Sequence, residues 1–322
     1  MWEHPFPQLL KLRRTLVKLT YKNERGKILL SEAGKDRVFG YALLLPTFLV
    51  FALVIMYPIL NGVVMSFSDY SYFTVSRGEG FRWNNFANYK TIMENGFAKQ
   101  LRKTITFTLA TVLAELIIGM SIAIMLNSNK IQRGRGLLRS LFLMPWTIPS
   151  IVVALLWNWL FNSSFGVWNY IFGTPNMEWI QNPKTAMFTV VVACVWRQTP
   201  YMLIMLLAAL QNVNQDLIEA ATIDGANTFQ IFWHITLPSI KQVLGTTVIT
   251  CIMSSFQQFT IIYQMTNGGP VDTTTTMSIG AYKLAFTNMD LGAGAAVGVI
   301  WMLILIVGVS IFNTKTKRFD NV

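Results

Sequence analysis

Six apolar runs, each long enough to cross a bilayer, constrain this chain more than any other feature. They occupy residues 39–65, 105–126, 141–161, 185–210, 237–262 and 292–312. A helix needs about 20 apolar residues to span the hydrocarbon layer. In lipid every backbone polar group must be satisfied within the fold, which leaves helices or closed barrels. Runs this long predict helices. The expected class is an all-α integral membrane protein with six transmembrane helices, residues 38–314, between a basic segment (1–37) and a short tail (315–322). Pro46 and Pro58 are expected to kink the first span. Composition excludes an ordinary soluble domain: 53% of the 322 residues are hydrophobic and 13% charged.

The net charge of +11 invites a polyanion reading, but its distribution explains it better. Basic residues sit in short runs beside the spans, as the positive-inside rule requires. Residues 1–37 carry nine Lys/Arg against four acids; Lys130, Arg133, Arg135 and Arg139 follow the second span with no acid among residues 127–139; Lys315, Lys317 and Arg318 follow the sixth. These place both termini and the loop 127–139 in the cytoplasm, and no nucleic-acid partner is needed. Leu9, Leu10, Leu12, Leu16, Val17 and Leu19 form a helical stripe suited to the inner leaflet, with an expendable tail as the alternative. The first apolar run is too long, and too far from the start, for a cleavable signal.

Several chemistries have no residues to carry them. The chain has no G-x-x-x-x-G-K-[S/T] phosphate loop, no H-E-x-x-H and no G-x-S-x-G. No catalytic residue, metal site or cofactor is expected. Cys194 and Cys251 both fall in apolar runs, as packed thiols do.

Polar residues inside the spans are costly and therefore informative. Glu115 stands in the second span, Pro145 and Pro149 interrupt the third, and Trp196-Arg197-Gln198-Thr199-Pro200-Tyr201 lies in the fourth. An arginine at mid-span costs about 2.5–3.5 kcal/mol on insertion scales and needs a compensating partner. Ser254, Ser255, Gln257 and Gln258 cluster late in the fifth, while Gly292, Gly294 and Gly298 open the sixth for close packing. Two polar stretches, 66–103 and 265–290, are expected outside; the first has aromatics (Tyr70, Tyr72, Phe73, Phe81, Trp83, Phe86, Tyr89) suited to an interface or an external partner.

The loop 211–236 joins the fourth and fifth spans. In it Leu217, Ile218, Ala221, Ile223 and Ala226 alternate with Asp216, Glu219 and Asp224 as in a short amphipathic helix; Gly225 permits the positive φ that ends it, and Pro238 suits the first turn of the next helix. So short a helix has little core of its own. Its apolar side must rest on other chain or on a partner.

Glu219-Ala220-Ala221, three residues, Gly225, nine residues, then Ile235-Thr236-Leu237-Pro238 resembles the cytoplasmic signature of the permease subunits of bacterial ATP-binding-cassette (ABC) importers. Asn267-Gly268-Gly269-Pro270, followed by threonines at 273–276, resembles the carbohydrate branch of maltose-type permeases. Gln242 departs from the pattern, where a second proline is expected. The resemblance implies the type I importer permease fold in the bacterial inner membrane, with loop 211–236 as coupling element. It also implies a second homologous permease, two ATPase subunits holding ATP and Mg, and an external solute-binding protein. Glu219, Ala220, Ala221, Asp224 and Gly225 would engage the ATPase. The family's sugar-holding positions fall on Arg197, Gln198, Tyr201, Cys251, Ser255 and Gln258, with Tyr201 alone unchanged. Arg197 leaves two readings open: a clamp for an acidic saccharide, such as a uronate-containing oligosaccharide, or a structural ion pair with Glu115 or an acid of the partner permease. A secondary transporter coupled through Glu115, and a channel or membrane scaffold, are the competing classes.

Overall fold

The computed structural model describes residues 20–22, 28–30, 32–79, 81–94, 96–128 and 134–319; the expected leucine stripe, Leu9 to Leu19, lies outside them, as do Lys130 and Arg133. Two compact units divide the chain, Met1–Gly62 and Val63–Val322. In the first, Thr20–Lys22 pairs antiparallel with Ile28–Leu30, Tyr21 opposite Leu29. The first candidate span is α1 (Lys35–Ser66). At Pro58 this helix adapts by widening: Phe51–Met56 forms a π turn in which the Tyr57 N–H reaches back five residues to Ala52 O. Val54, whose carbonyl a proline ring four residues on would strike, lies within that turn.

The second unit is built around α2 (Phe97–Asn127) and, after the bent pair α3 (Arg135–Thr147) and α4 (Ser150–Leu160), α5 (Ala186–Gln211). α2 and α5 lie against each other at Gly119, where an added Cβ would stand 2.8 Å from Met202 Cγ. One buried cluster gathers Phe107, Trp157, Phe161 and Ile261; a second gathers Leu126, Met202, Leu206 and Ile240. After α6 (Gln215–Ile223) come α7 (Leu237–Phe256) and α8 (Leu291–Phe319). Among the described residues, five helices are long and apolar enough to cross a membrane, six if α3 and α4 count as one span.

Three expectations are corrected. The third span is two helices meeting at 98°, and it begins at Arg135, so Arg135 and Arg139 belong to a helix. The residue before a proline avoids the helical region: Ile148 is extended, at φ −76° and ψ 131°, ahead of Pro149. The fifth span stops at Phe256, and a separate helix, Thr260–Thr266, follows. The polar cluster from Ser254 to Gln258 leaves that segment no continuous apolar face, and broken backbone at membrane depth is tolerated where it lines a cavity. The stretch 265–290 is more than a loop: it holds the short helix Met277–Tyr282, with Met277 and Ile279 fully buried.

The first polar stretch, 66–103, also folds. Trp83, Phe86 and Tyr89 surround Phe67 at ring distances of 5.0, 5.0 and 5.1 Å. It is tied to the start of α8, where Gly292 N donates to Tyr70 O at 2.8 Å. Gly292 and Gly294 serve close packing as expected, since an added Cβ would meet Ser68 O at 2.5 Å and Ala285 Cβ at 2.6 Å; Gly298 meets nothing within 4 Å.

Candidate functional site

Two helix breaks face one polar cavity. Its volume is about 290 Å³, and its walls are Phe107 and Glu115 from α2, Ser150 from α4, Cys194, Arg197 and Gln198 from α5, and Ser254, Ser255, Gln257 and Gln258 from the end of α7. Arg197 reaches the first break: its Nε donates to Ile148 O at 3.3 Å, satisfying a carbonyl of the α3–α4 corner. The second break is braced from the stretch beyond it. Ser278 Oγ donates to Gln258 O at 2.7 Å, and Thr275 and Thr274 donate to Gly268 O and Gly269 O, each at 2.9 Å. Ser278 thus braces the segment from which Gln257 and Gln258 project, while the threonines close the glycine-rich turn on itself.

Of the six positions that the resemblance assigns to the sugar, Arg197, Gln198, Ser255 and Gln258 line this cavity. Tyr201 and Cys251 do not line it. One turn further along α5, Tyr201 packs on Trp146, ring centroids 6.0 Å apart. Cys251 is fully buried, its thiol turned toward Glu115. Ser150, Cys194 and Phe107 were missed as cavity residues. Ser150 carried a signal, because it follows the proline that breaks the span.

Of the two readings left open for Arg197, an ion pair with Glu115 is not formed: among the described residues neither side chain makes a salt bridge. Both carboxylate oxygens of Glu115 are buried, and among the described residues neither has a hydrogen-bond partner of ordinary geometry. A larger cavity, about 570 Å³, lies among Ile118, Phe142, Pro145, Trp157, Trp196 and Pro200. Its apolar walls cannot satisfy sugar hydroxyls, so chemistry favours the smaller one. Among the described residues no cluster of His, Cys, Asp and Glu is arranged to hold a metal.

A second candidate feature is the segment from α6 to the start of α7. Asn214 caps α6 by accepting from Asp216 N at 2.9 Å. Gly225 ends it at φ +83°, with Gly225 N bonded to Thr222 O and Ala226 N to Ala221 O, the paired bonds of a left-handed glycine cap. A capping box between Asn227 and Gln230 starts the next turn. A π turn at Phe232–Thr236 then precedes Pro238. Ile218, Ala221 and Ala226 are half-buried, but Glu219, Ala220 and Asp224 are exposed. So are Leu217, Ile223 (86% exposed), Phe229 and Trp233. Of the five apolar residues expected to form the helix's packed side, Leu217 and Ile223 are left uncovered.

The family profile described as "Binding-protein-dependent transport system inner membrane component" matches residues 90–318. The chain is 34% identical over 291 residues to the trehalose/maltose transport system permease protein MalF of Thermococcus litoralis, covering 88% of this chain and 95% of that one. It is 30% identical to the sulfoquinovosyl glycerol transport system permease protein SmoG of Agrobacterium fabrum, covering 87% and 92% respectively. Among solved structures, a bacterial ABC transporter involved in the import of the acidic polysaccharide alginate has the same fold, with a TM-score of 0.77 at 22% identity over 88% of this chain and 96% of that one.

Proposed function

The chain belongs to the binding-protein-dependent transport system inner membrane components and is a permease subunit of a carbohydrate ABC importer, not an enzyme; from that premise we propose how it holds its saccharide and how it is driven. The observation that carries the proposal is the convergence of Arg197, Gln198, Ser255 and Gln258 on one polar cavity between two broken helices. Sugars need paired donors and acceptors for their hydroxyls, and these side chains supply both. Arg197 spends Nε on Ile148 O and presents the rest of its guanidinium to the ligand, where the planar fork suits a carboxylate. An oligosaccharide carrying a uronate, of which alginate is one source, is the substrate this arrangement favours. Tyr201 and Cys251 support the cavity from behind.

Drive comes from outside the chain. Two ATPase subunits, each holding ATP and Mg, dock on α6, and their closure is transmitted by contact through Glu219, Ala220, Ala221, Asp224 and Gly225. The uncovered Leu217 and Ile223 support this reading, because a helix packed by its own chain would cover them. A second homologous permease completes the pathway, an external solute-binding protein delivers the saccharide, and lipid surrounds the spans. Both termini and α6 lie on the cytoplasmic side of the inner membrane.

Uptake into proteoliposomes holding the whole complex tests this. ATP-dependent entry of oligosaccharides, and its loss in Arg197→Ala with assembly intact, are expected. Uptake that proceeds without ATP on an ion gradient would overturn the mechanism.

A further inference from the structure

The segment that closes the polar cavity continues into a row of aromatic rings. Phe259 follows Gln258 directly. Phe259 and Tyr263, one helical turn apart, stack at 5.1 Å with their planes 19° apart. Tyr282 and Phe286 form a second pair at the same spacing, their rings 5.0 Å apart. The pairs meet, because Tyr282 stands 5.0 Å from Phe259 and 4.9 Å from Tyr263. The row therefore runs from Phe259 through Tyr282 to Phe286, from half-buried rings to one that is 60% exposed.

Two contacts join this row to the cavity. Ser278, whose Oγ donates to Gln258 O at 2.7 Å, also walls the recess of about 340 Å³ beside Phe259, Tyr282 and Phe286. Phe107, a wall of the cavity, belongs to the buried cluster on which Phe259 and Tyr263 pack. Phe286 itself lies in a π turn, Lys283–Thr287, a widening of the helix that recurs at functional sites. The cavity, at about 290 Å³, is at the small end of ligand sites. An oligosaccharide seated in it must extend beyond its walls.

We propose that Phe259, Tyr282 and Phe286 form a stacking subsite for the sugar units that project from the cavity on the side of the glycine-rich turn. The inference rests on the saccharide reading of the cavity and extends it to chain length. The electron-rich face of an aromatic ring attracts the C–H face of a pyranose. A sugar stacked on the exposed Phe286 keeps its hydroxyls in water and needs no polar partner, unlike one enclosed among apolar walls. The rings carry no charge, so neutral and uronate units are accepted alike.

The test uses the assembled complex in proteoliposomes, with ATP and saturating loaded solute-binding protein, and compares a uronate-containing disaccharide with a hexasaccharide. Phe286→Leu stays apolar but loses the flat face, whereas Phe286→Tyr keeps it. In Phe286→Leu, entry of the hexasaccharide should fall about fivefold, the scale of one aromatic contact, while entry of the disaccharide changes less than about twofold. Phe286→Tyr should carry both as the wild type does. An equal loss at both lengths overturns the inference. So does unchanged entry in Phe286→Leu, which would mark the rings as lipid-facing anchors. Loss of the second permease when Phe286→Leu is purified overturns it too, since the row would then be a contact between subunits. If neither compound enters wild-type vesicles, the saccharide reading has failed and the subsite with it, an outcome read in the wild type alone.

Discussion

Arg197 joins an architectural bond and the proposed recognition of substrate in one side chain. Its Nε satisfies Ile148 O at the α3–α4 corner, so an alanine leaves that carbonyl without its donor. Arg197→Ala is expected to cost about 1–3 kcal/mol, the usual penalty for a stranded buried polar group, read as a lower unfolding temperature of the purified complex. Arg197→Lys keeps the charge but lacks the planar fork; its uptake of uronate-bearing sugars should fall further than its stability does. Outside the spans, Asp272 is held below the usual carboxylate range by the Lys283 ammonium, then by the Thr275 hydroxyl, while Lys103 Nζ donates to the Asp272 carbonyl. The carboxyl's folded value is depressed, so its contribution is complete above the ordinary value of about 4 and is lost as pH falls through the lower folded one. Amide exchange at residues 273–276 should quicken across that acidic window, and Asp272→Asn should exchange quickly at neutral pH and lose the dependence. The side chain is 68% exposed, so the effect is local to this turn and leaves global stability nearly unchanged.

At the scale of elements, α6 and its glycine form the most sharply specified unit. A methyl group added at Gly225 would meet nothing within 4 Å, yet the residue sits at φ +83°, so a substitution there meets backbone strain alone. Gly225→Val should cost about 1–2 kcal/mol and redirect the chain after α6, while Gly225→Asn, tolerant of left-handed backbone, should cost less. Copurification of the ATPase and ATP-driven uptake should follow that order, while the permease itself still assembles. This element was legible from the residues because two of its signals are local, a glycine stop and a proline start; the Asn214 cap came only with the structure. The helix breaks were half legible. Pro149 announced the corner at Ile148, but its 98° bend depends on packing, and the stop at Phe256 is marked by no proline or glycine. The same difference applies to the cavity. Charged and amide side chains inside spans pointed to Arg197, Gln198, Ser255 and Gln258, whereas Cys194 and Phe107 reach it through helix packing that spacing alone does not reveal. Tyr201 and Cys251 were placed by resemblance, and neither lines the cavity: Tyr201 packs on Trp146 and Cys251 is fully buried.

The whole molecule works as an importer only if the α6 segment and the glycine-rich turn stand on opposite faces of the membrane. Charge supports this indirectly, because residues 211–236 contain three acids and no Lys or Arg, so the loop's side follows from counting spans between better-marked neighbours. The count turns on the α3–α4 pair: as one bent span it gives six crossings, and as a re-entrant turn it gives five. Five crossings would move the glycine-rich turn relative to the termini. Cysteine labelling separates the cases, since Cys194 and Cys251 are both buried and give little background. Ile223 and Val271 are 86% and 87% exposed, so a thiol at either position is open to reagent. Val271→Cys should react with a membrane-impermeant maleimide in intact cells, and Ile223→Cys only after the membrane is opened. Adding the ATPase subunits should then shield Ile223→Cys and leave Val271→Cys unchanged. Labelling of both from one side would break the crossing count, and with it the proposed route by which ATPase closure at α6 would reach the cavity between the broken helices.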